Sequence, residues 1–194
     1  MEKVTLDEVA GIERYEQLRP EFRRRIIELK KQRRVAVGDR VTLVFENHDT
    51  MLFQIQEMLR AERIVDLDKV RDELDVYNAL IPARGELSAT LLIEITESDR
   101  IRNQLLAFIG IDEAVRLEIG ERFVIPAQFE PGRSKADKLS AVQYVRFPFG
   151  DDARRAFIAD TEPVRLVIDH PNYRHATVID GAVRRSLAHD LECP

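Results

Sequence analysis

Apolar and polar residues alternate from Val41 to Glu46, with Val41, Leu43 and Phe45 on one side and Thr42, Val44 and Glu46 on the other. That is the period of a strand with one face on a core. Asn47 to Thr50 break the alternation. Beyond them Met51, Leu52, Ile55, Met58 and Leu59 recur at helical spacing, within about a third of a wheel at ~100° per residue. The stretch from Val41 to Glu62 therefore predicts a strand passing through a polar turn into an amphipathic helix. Asn47, Asp49 and Thr50 are all N-cap types. Asp49 is the favoured cap, and with no Glu or Gln three residues on, no capping box is expected. Glu62 projects onto the apolar stripe, and Phe53 onto the opposite face beside Glu57 and Arg60. The helix is thus expected to be covered on both sides, unless Glu62, near its end, simply reaches water.

Upstream, residues 4–18 carry weak helical periodicity, and Pro20 suits the first turn of a second helix with Phe22, Ile26 and Leu29 facing inward. Val35 to Val37, Gly38-Asp39 and Arg40 to Glu46 read as a hairpin with a two-residue loop. Downstream, a helix from about Asp66 to Leu80 ends at Pro82, and Leu87 to Ile95 alternates with Ala89, Leu91, Ile93 and Ile95 on one face. A short helix runs from Ser98 to Ile109, stopped by Gly110. Strand patterns then dominate: Val115 to Ile119, Phe123 to Phe129 before the turn residues Glu130-Pro131-Gly132, Ser140 to Phe147, and Val164 to Ile168. Short helices are predicted from Asp151 to Ala159 and near Asp180 to Leu191. Strands this close together cannot be joined by parallel crossovers, which require a dozen or more residues. The fold class is α+β, a mostly antiparallel sheet of about five to seven strands, able to curl toward a barrel, packed with N-terminal, central and C-terminal helices. No repeat, low-complexity segment or linker divides the chain, so residues 1–194 are read as one domain.

The chain is 44% hydrophobic and 34% charged, a balance that suits a soluble globular protein. Its longest uncharged run, Asn103 to Ile111, is nine residues, well short of the ~20 that span a bilayer. Met1 is not followed by an apolar signal core, so a cytoplasmic protein without a membrane partner is expected. Cys193 is the sole cysteine, which excludes intrachain disulfides and multi-cysteine metal sites. The net charge is −5, yet Arg19 to Arg34 holds eight basic and two acidic residues, +6 in all, leaving −11 elsewhere. Such a face could track phosphates or an acidic partner, or be a solvated helix face. Phe22 is the single aromatic residue in the run, no series that could stack on successive bases, and no nucleic-acid partner is expected.

No glycine-rich dinucleotide fingerprint, phosphate-binding Gly-Lys-Ser/Thr loop, His-Glu-x-x-His or Gly-x-Ser-x-Gly occurs, so no cofactor is expected. What remains is Glu46, Asn47, His48 and Asp49 at the junction, with His170, Tyr173 and His175 after the last predicted strand. Glu46 and His48 would share a face if the strand ran on, a carboxylate and imidazole able to hold a divalent ion. A satisfied turn network accounts for them as well, and no metal is expected. Arg133, Lys135 and Lys138 could hold an anion at a hairpin tip or serve solubility there.

The stretch from Phe45 to Glu62, with Ser140 to Phe147 and Asp169 to Tyr173 in support, resembles a bacterial family catalogued as domain of unknown function 3501. The resemblance implies motif residues without assigned roles at Asn47, Asp49, Thr50, Gln54, Gln56, Glu57, Arg60 and Glu62. The position of His48 is usually Arg in the family pattern, a departure that weakens a metal role there. The resemblance also implies a setting beside rubrerythrin-like and iron–sulfur oxidoreductase proteins. Two expectations follow. One is a cytoplasmic accessory or binding protein of a redox or oxidative-stress operon, partnered by a redox protein. The other is a small-molecule enzyme using the junction carboxylates with Tyr173 or His170. The candidate cluster is Glu46, Asn47, Asp49, Gln54, Glu57, Arg60, Glu62, His170 and Tyr173. Nothing in the pattern sets an oligomeric state.

Overall fold

The computed structural model describes residues 1–95, 101–131, 134–135 and 138–192. Ser98, Arg133 and Cys193 lie outside the described residues, as do the side chains of Lys135 and Lys138. A 3-10 turn at Leu6–Glu8 leads into α1 (Ile12–Lys31), a single helix through Pro20 where the sequence predicts a break. Proline in a helix interior removes one hydrogen bond and ordinarily costs ~3 kcal/mol. Here Tyr15 before it and Ile26 beyond it are both buried, so tertiary packing holds the two halves in one line.

Next come the hairpin strands β1 (Arg34–Val37) and β2 (Val41–Glu46), then α2 (His48–Glu62), α3 (Leu67–Asn78) and β3 (Glu86–Ile93). Gly38, at φ 72°, makes the hairpin turn. The short helix α4 (Ile101–Leu106) is followed by β4 (Val115–Ile119), β5 (Phe123–Pro126) and β6 (Gln128–Phe129). A two-stranded ribbon, β7 (Ser134–Lys135) and β8 (Lys138–Leu139), precedes β9 (Val142–Pro148), α5 (Asp151–Ala159), β10 (Val164–His170), β11 (Tyr173–Ile179) and α6 (Gly181–Glu192).

The fold is α+β, and its sheet is divided into two main open sheets rather than curled into a barrel. One has five strands in the order β1-β2-β3-β9-β6, the other four in the order β11-β10-β4-β5, and every pairing among the described residues is antiparallel. Leu43, Phe45, Leu91 and Val145 of the first sheet bury in one apolar cluster with Leu117, Ile119, Leu166 and Ile168 of the second. The alternating run from Phe123 to Phe129, one strand to the eye in sequence, is shared between them. β5 pairs with β4, the chain crosses at Ala127, and β6 pairs with β9. A second cluster, with Met51, Ile55, Leu59, Val70, Leu74 and Tyr77, welds α2 to α3.

The segment after Asp169 is another departure. The sequence reading ends its last strand at Ile168, but β10 runs to His170 and β11 pairs with it along its whole length. Only Tyr173 and Ile179 of β11 are buried. An edge strand with that exposure has no alternation to betray it.

Candidate functional site

Cross-strand register sets Glu46, Ser88, Arg146 and Gln128 in one row over four strands, with Val44, Thr90 and Tyr144 in the row beside it. Side chains alternate between faces along a strand, so both rows share the face opposite Phe45, Ala89 and Val145. The helices α1 to α3 cover part of this outer face. Where they stop, the end of α3, the row residues and the β6 segment enclose a cleft of about 450 Å³, bordered by Leu80, Phe129, Glu130, Pro131, Tyr144 and Arg146. An adjoining cavity of about 250 Å³ runs beneath the helices past Lys30, Gln54, Tyr77 and Thr90. Glu46, Leu80 and Tyr144 belong to both.

Glu46 is only 5% exposed. Its Oε1 accepts the Thr90 hydroxyl at 2.7 Å, while its Oε2 is buried with no hydrogen-bond partner. Among the described residues no cation forms an ion pair with it. A buried carboxylate oxygen left bare is costly, and native proteins rarely tolerate one without a reason. Its neighbours are otherwise engaged: the Ser88 hydroxyl donates to the Leu80 carbonyl at 2.6 Å, and Arg146 pairs with Glu86 and donates to the Ala79 carbonyl.

One residue further on, the junction turn is built differently from the sequence expectation. Asn47, not Asp49, caps α2. Its extended backbone (φ −151°) lets Oδ1 accept from the Thr50 N–H at 3.0 Å, and the Thr50 hydroxyl accepts from the Asn47 N–H at 2.9 Å. That is a capping box closed by threonine in place of Glu or Gln. Asp49 and Glu8 instead flank His48, at 3.5 Å from Nδ1 and 3.0 Å from Nε2. His48 begins the helix and so does not continue the strand face of Glu46.

Along α2, Glu57 faces α1. Tyr15 donates to its Oε1 at 2.7 Å, Arg19 grips both oxygens at 2.7 and 2.9 Å, and Arg60 adds an ion pair at 3.6 Å, too long for a hydrogen bond. The Arg19 hydrogen bonds, against the opposing effect of burial, hold the Glu57 carboxyl down at about 2. Burial, followed by Glu57 itself, pushes the Tyr15 phenol up. Phe53 meets Phe22 edge-to-face at 5.5 Å, so α2 is covered on both sides as its pattern implies. Glu62 is the exception on the apolar stripe. It is exposed, and its charge adds to the effect of burial in pushing the Glu73 carboxyl up. Gln54 and Tyr77 both line the inner cavity.

His170 and Tyr173 stand elsewhere. The Tyr173 hydroxyl donates to the Val37 carbonyl at 2.6 Å and accepts from the Arg40 N–H at 2.9 Å, binding β11 to the tip of the β1–β2 hairpin. His170 Nε2 lies 2.8 Å from the Ile109 carbonyl and must carry the proton, leaving Nδ1 to accept from the Asn172 N–H at 3.2 Å. Glu46 is at the opposite end of β2, five residues and about 17 Å away at ~3.3 Å per residue. The junction carboxylates and these two residues are therefore not brought into one site.

Residues outside the sequence-predicted cluster do more than several within it. Arg33 is fully buried, pairs with the buried Asp190 of α6, and donates to the carbonyls of Phe45 at 2.8 Å and Glu46 at 3.0 Å. It pins the end of β2 from behind while Glu46 faces the cleft. In sequence Arg33 is one of a basic run and carries no distinguishing mark. Ser88, Thr90, Tyr144 and Arg146 could have been suspected from the second faces of their alternating strands, but their neighbours could not.

The class so defined is an α+β protein of two open antiparallel sheets, with a ligand-sized cleft on the outer face of the larger. A family model described as "Protein of unknown function (DUF3501)" matches residues 3–191, and the chain belongs to that family. It is similar to a solved crystal structure, a novel protein of unknown function from Burkholderia pseudomallei, at 35% sequence identity and a TM-score of 0.92, over 98% of this chain and 100% of that one. No curated protein matches. No helix among the described residues is long and apolar enough to cross a membrane.

Proposed function

We propose that the protein is a small-molecule-binding accessory protein whose ligand lies in the cleft over the outer face of the five-stranded sheet. The observation that carries this reading is the buried Glu46 carboxylate, one oxygen of it without a hydrogen-bond partner among the described residues, on a residue that lines a largely apolar cavity. A few fixed polar groups in a concave apolar surface are what orient a small ligand. Following the family resemblance, its setting is cytoplasmic and its partner a redox protein of the iron–sulfur oxidoreductase or rubrerythrin-like kind. The basic run does not argue for nucleic acid. Arg19, Lys31, Arg33 and Arg34 are taken up by Glu57, Glu28, Asp190 and Glu94.

Fragment soaking of crystals tests the cleft: density at Glu46, Ser88 and Tyr144 is expected, and occupants found only elsewhere on the surface overturn it. Affinity capture at physiological salt tests the partner. Recovery of an iron–sulfur or rubrerythrin-like protein is expected, and its absence overturns the redox setting.

A further inference from the structure

We propose that the cleft selects organic cations, an ammonium group carried on a small apolar body, with the ammonium paired to the Glu46 carboxylate. The inference rests on the reading of this cleft as a ligand site and assigns the chemistry of what enters it.

Among the described residues the carboxylate has one hydrogen-bond partner, the Thr90 hydroxyl at 2.7 Å, and its other oxygen is buried without one. A charged donor is the partner that most fully offsets a desolvated carboxylate oxygen. Among the described residues none is supplied: Lys30 borders the inner cavity but forms no ion pair with Glu46. Arg146, the cationic side chain on the cleft itself, is held by Glu86 and the Ala79 carbonyl, so it does not call for an anion. Leu80, Phe129 and Pro131 provide an apolar wall, and Tyr144 brings an aromatic residue to the point where both cavities meet. Tyrosine near a desolvated ammonium adds a cation–π attraction. The Ser88 hydroxyl is spent on Leu80, which leaves Glu46 as the feature that discriminates charge.

Three probes of one shape and different charge test this on the full chain: phenethylamine, phenethyl alcohol and phenylacetate, titrated at millimolar concentration while the backbone amide signals of residues 46, 88 and 144 are followed by NMR. The amine is expected to move these signals and to bind at least about tenfold more tightly than the alcohol. Glu46→Gln should remove that preference while leaving the alcohol unchanged. Ala79→Trp, at an exposed position bordering the cleft, should weaken the amine by about tenfold or more without touching Glu46, and it serves if Glu46→Gln fails to fold. Equal binding of amine and alcohol, or a preference for phenylacetate, overturns the cation assignment and leaves the cleft standing as a site. No probe moving those signals overturns both the assignment and the cleft.

Discussion

Glu46 and Glu57 lie eleven residues apart in the same motif stretch, and the protein treats them oppositely. Glu57 has donors for both oxygens, from Tyr15 and Arg19, with Arg60 alongside. It is about a fifth exposed and closes the α1–α2 interface. Glu46 is deeper, at 5% exposure, yet one of its oxygens has no donor among the described residues. Charge in a folded protein is ordinarily neutralised in proportion to its burial. Glu57 follows that rule and is accounted for by structure alone. Glu46 departs from it beside a cavity, and that departure, rather than acidity or membership of the motif, makes it the candidate for function.

The comparison can be broken by stability measurements. The largest effect is expected at Arg33→Met, which strands Asp190 in the interior and should cost ~3–5 kcal/mol in urea unfolding. Adding Asp190→Leu should recover much of the loss, and a mild single variant would show that buried charge here is cheaper than the comparison assumes.

Glu57→Gln comes next, at ~1.5–3 kcal/mol, because charge-assisted bonds to Arg19 are lost. Its pH dependence has a definite sign. The folded value near 2 lies below the ordinary 4.5, so unfolding takes up a proton as pH falls. The stabilisation is complete above the ordinary value and disappears as pH drops through 4.5 toward 2. The gap between wild type and Glu57→Gln should therefore narrow over that range. A gap that stays constant would mean the carboxylate is not what holds the interface.

A smaller loss, ~1 kcal/mol, is expected for Asn47→Ala, with Asp49→Ala within a few tenths. The reverse order would restore Asp49 as the cap. The smallest effect belongs to Glu46→Gln: stability within ~0.5 kcal/mol of wild type, or above it, since the substitution removes a poorly satisfied charge. A loss of several kcal/mol would make Glu46 a structural residue like Glu57 and dissolve the contrast.

Local order was legible in the chain. The period of two in Val41 to Glu46, the helical stripe from Met51 to Leu59 and the tight spacing of later strands determine the elements and the antiparallel α+β class, because they depend on neighbours within a few residues. Covering of α2 on both faces was visible in the placement of Phe53. Three features were not. Pro20 reads as a boundary until Tyr15 and Ile26 are seen buried on either side of it. Phe123 to Phe129 reads as one strand because alternation does not record which sheet each half joins. β11 reads as loop because an edge strand presents no consistent face to the core.

The site divides along the same line. Sequence determined that Glu46 ends a strand on its polar side and that Glu57 and Arg60 share a helix face. Tertiary structure alone decided that Thr90, Ser88, Tyr144 and Arg146 come to stand beside Glu46, that Arg33 fastens it from behind, and that Glu57 meets Tyr15 and Arg19. It also carried His170 and Tyr173 to the other end of β2. Strand register and helix docking set these meetings, through contacts 12 to more than 150 residues apart such as Arg33 to Phe45, Thr90 to Glu46 and Arg33 to Asp190. No periodicity within one segment encodes a partner at that separation, so a carboxylate's fate, satisfied or bare, is written only in the assembled fold.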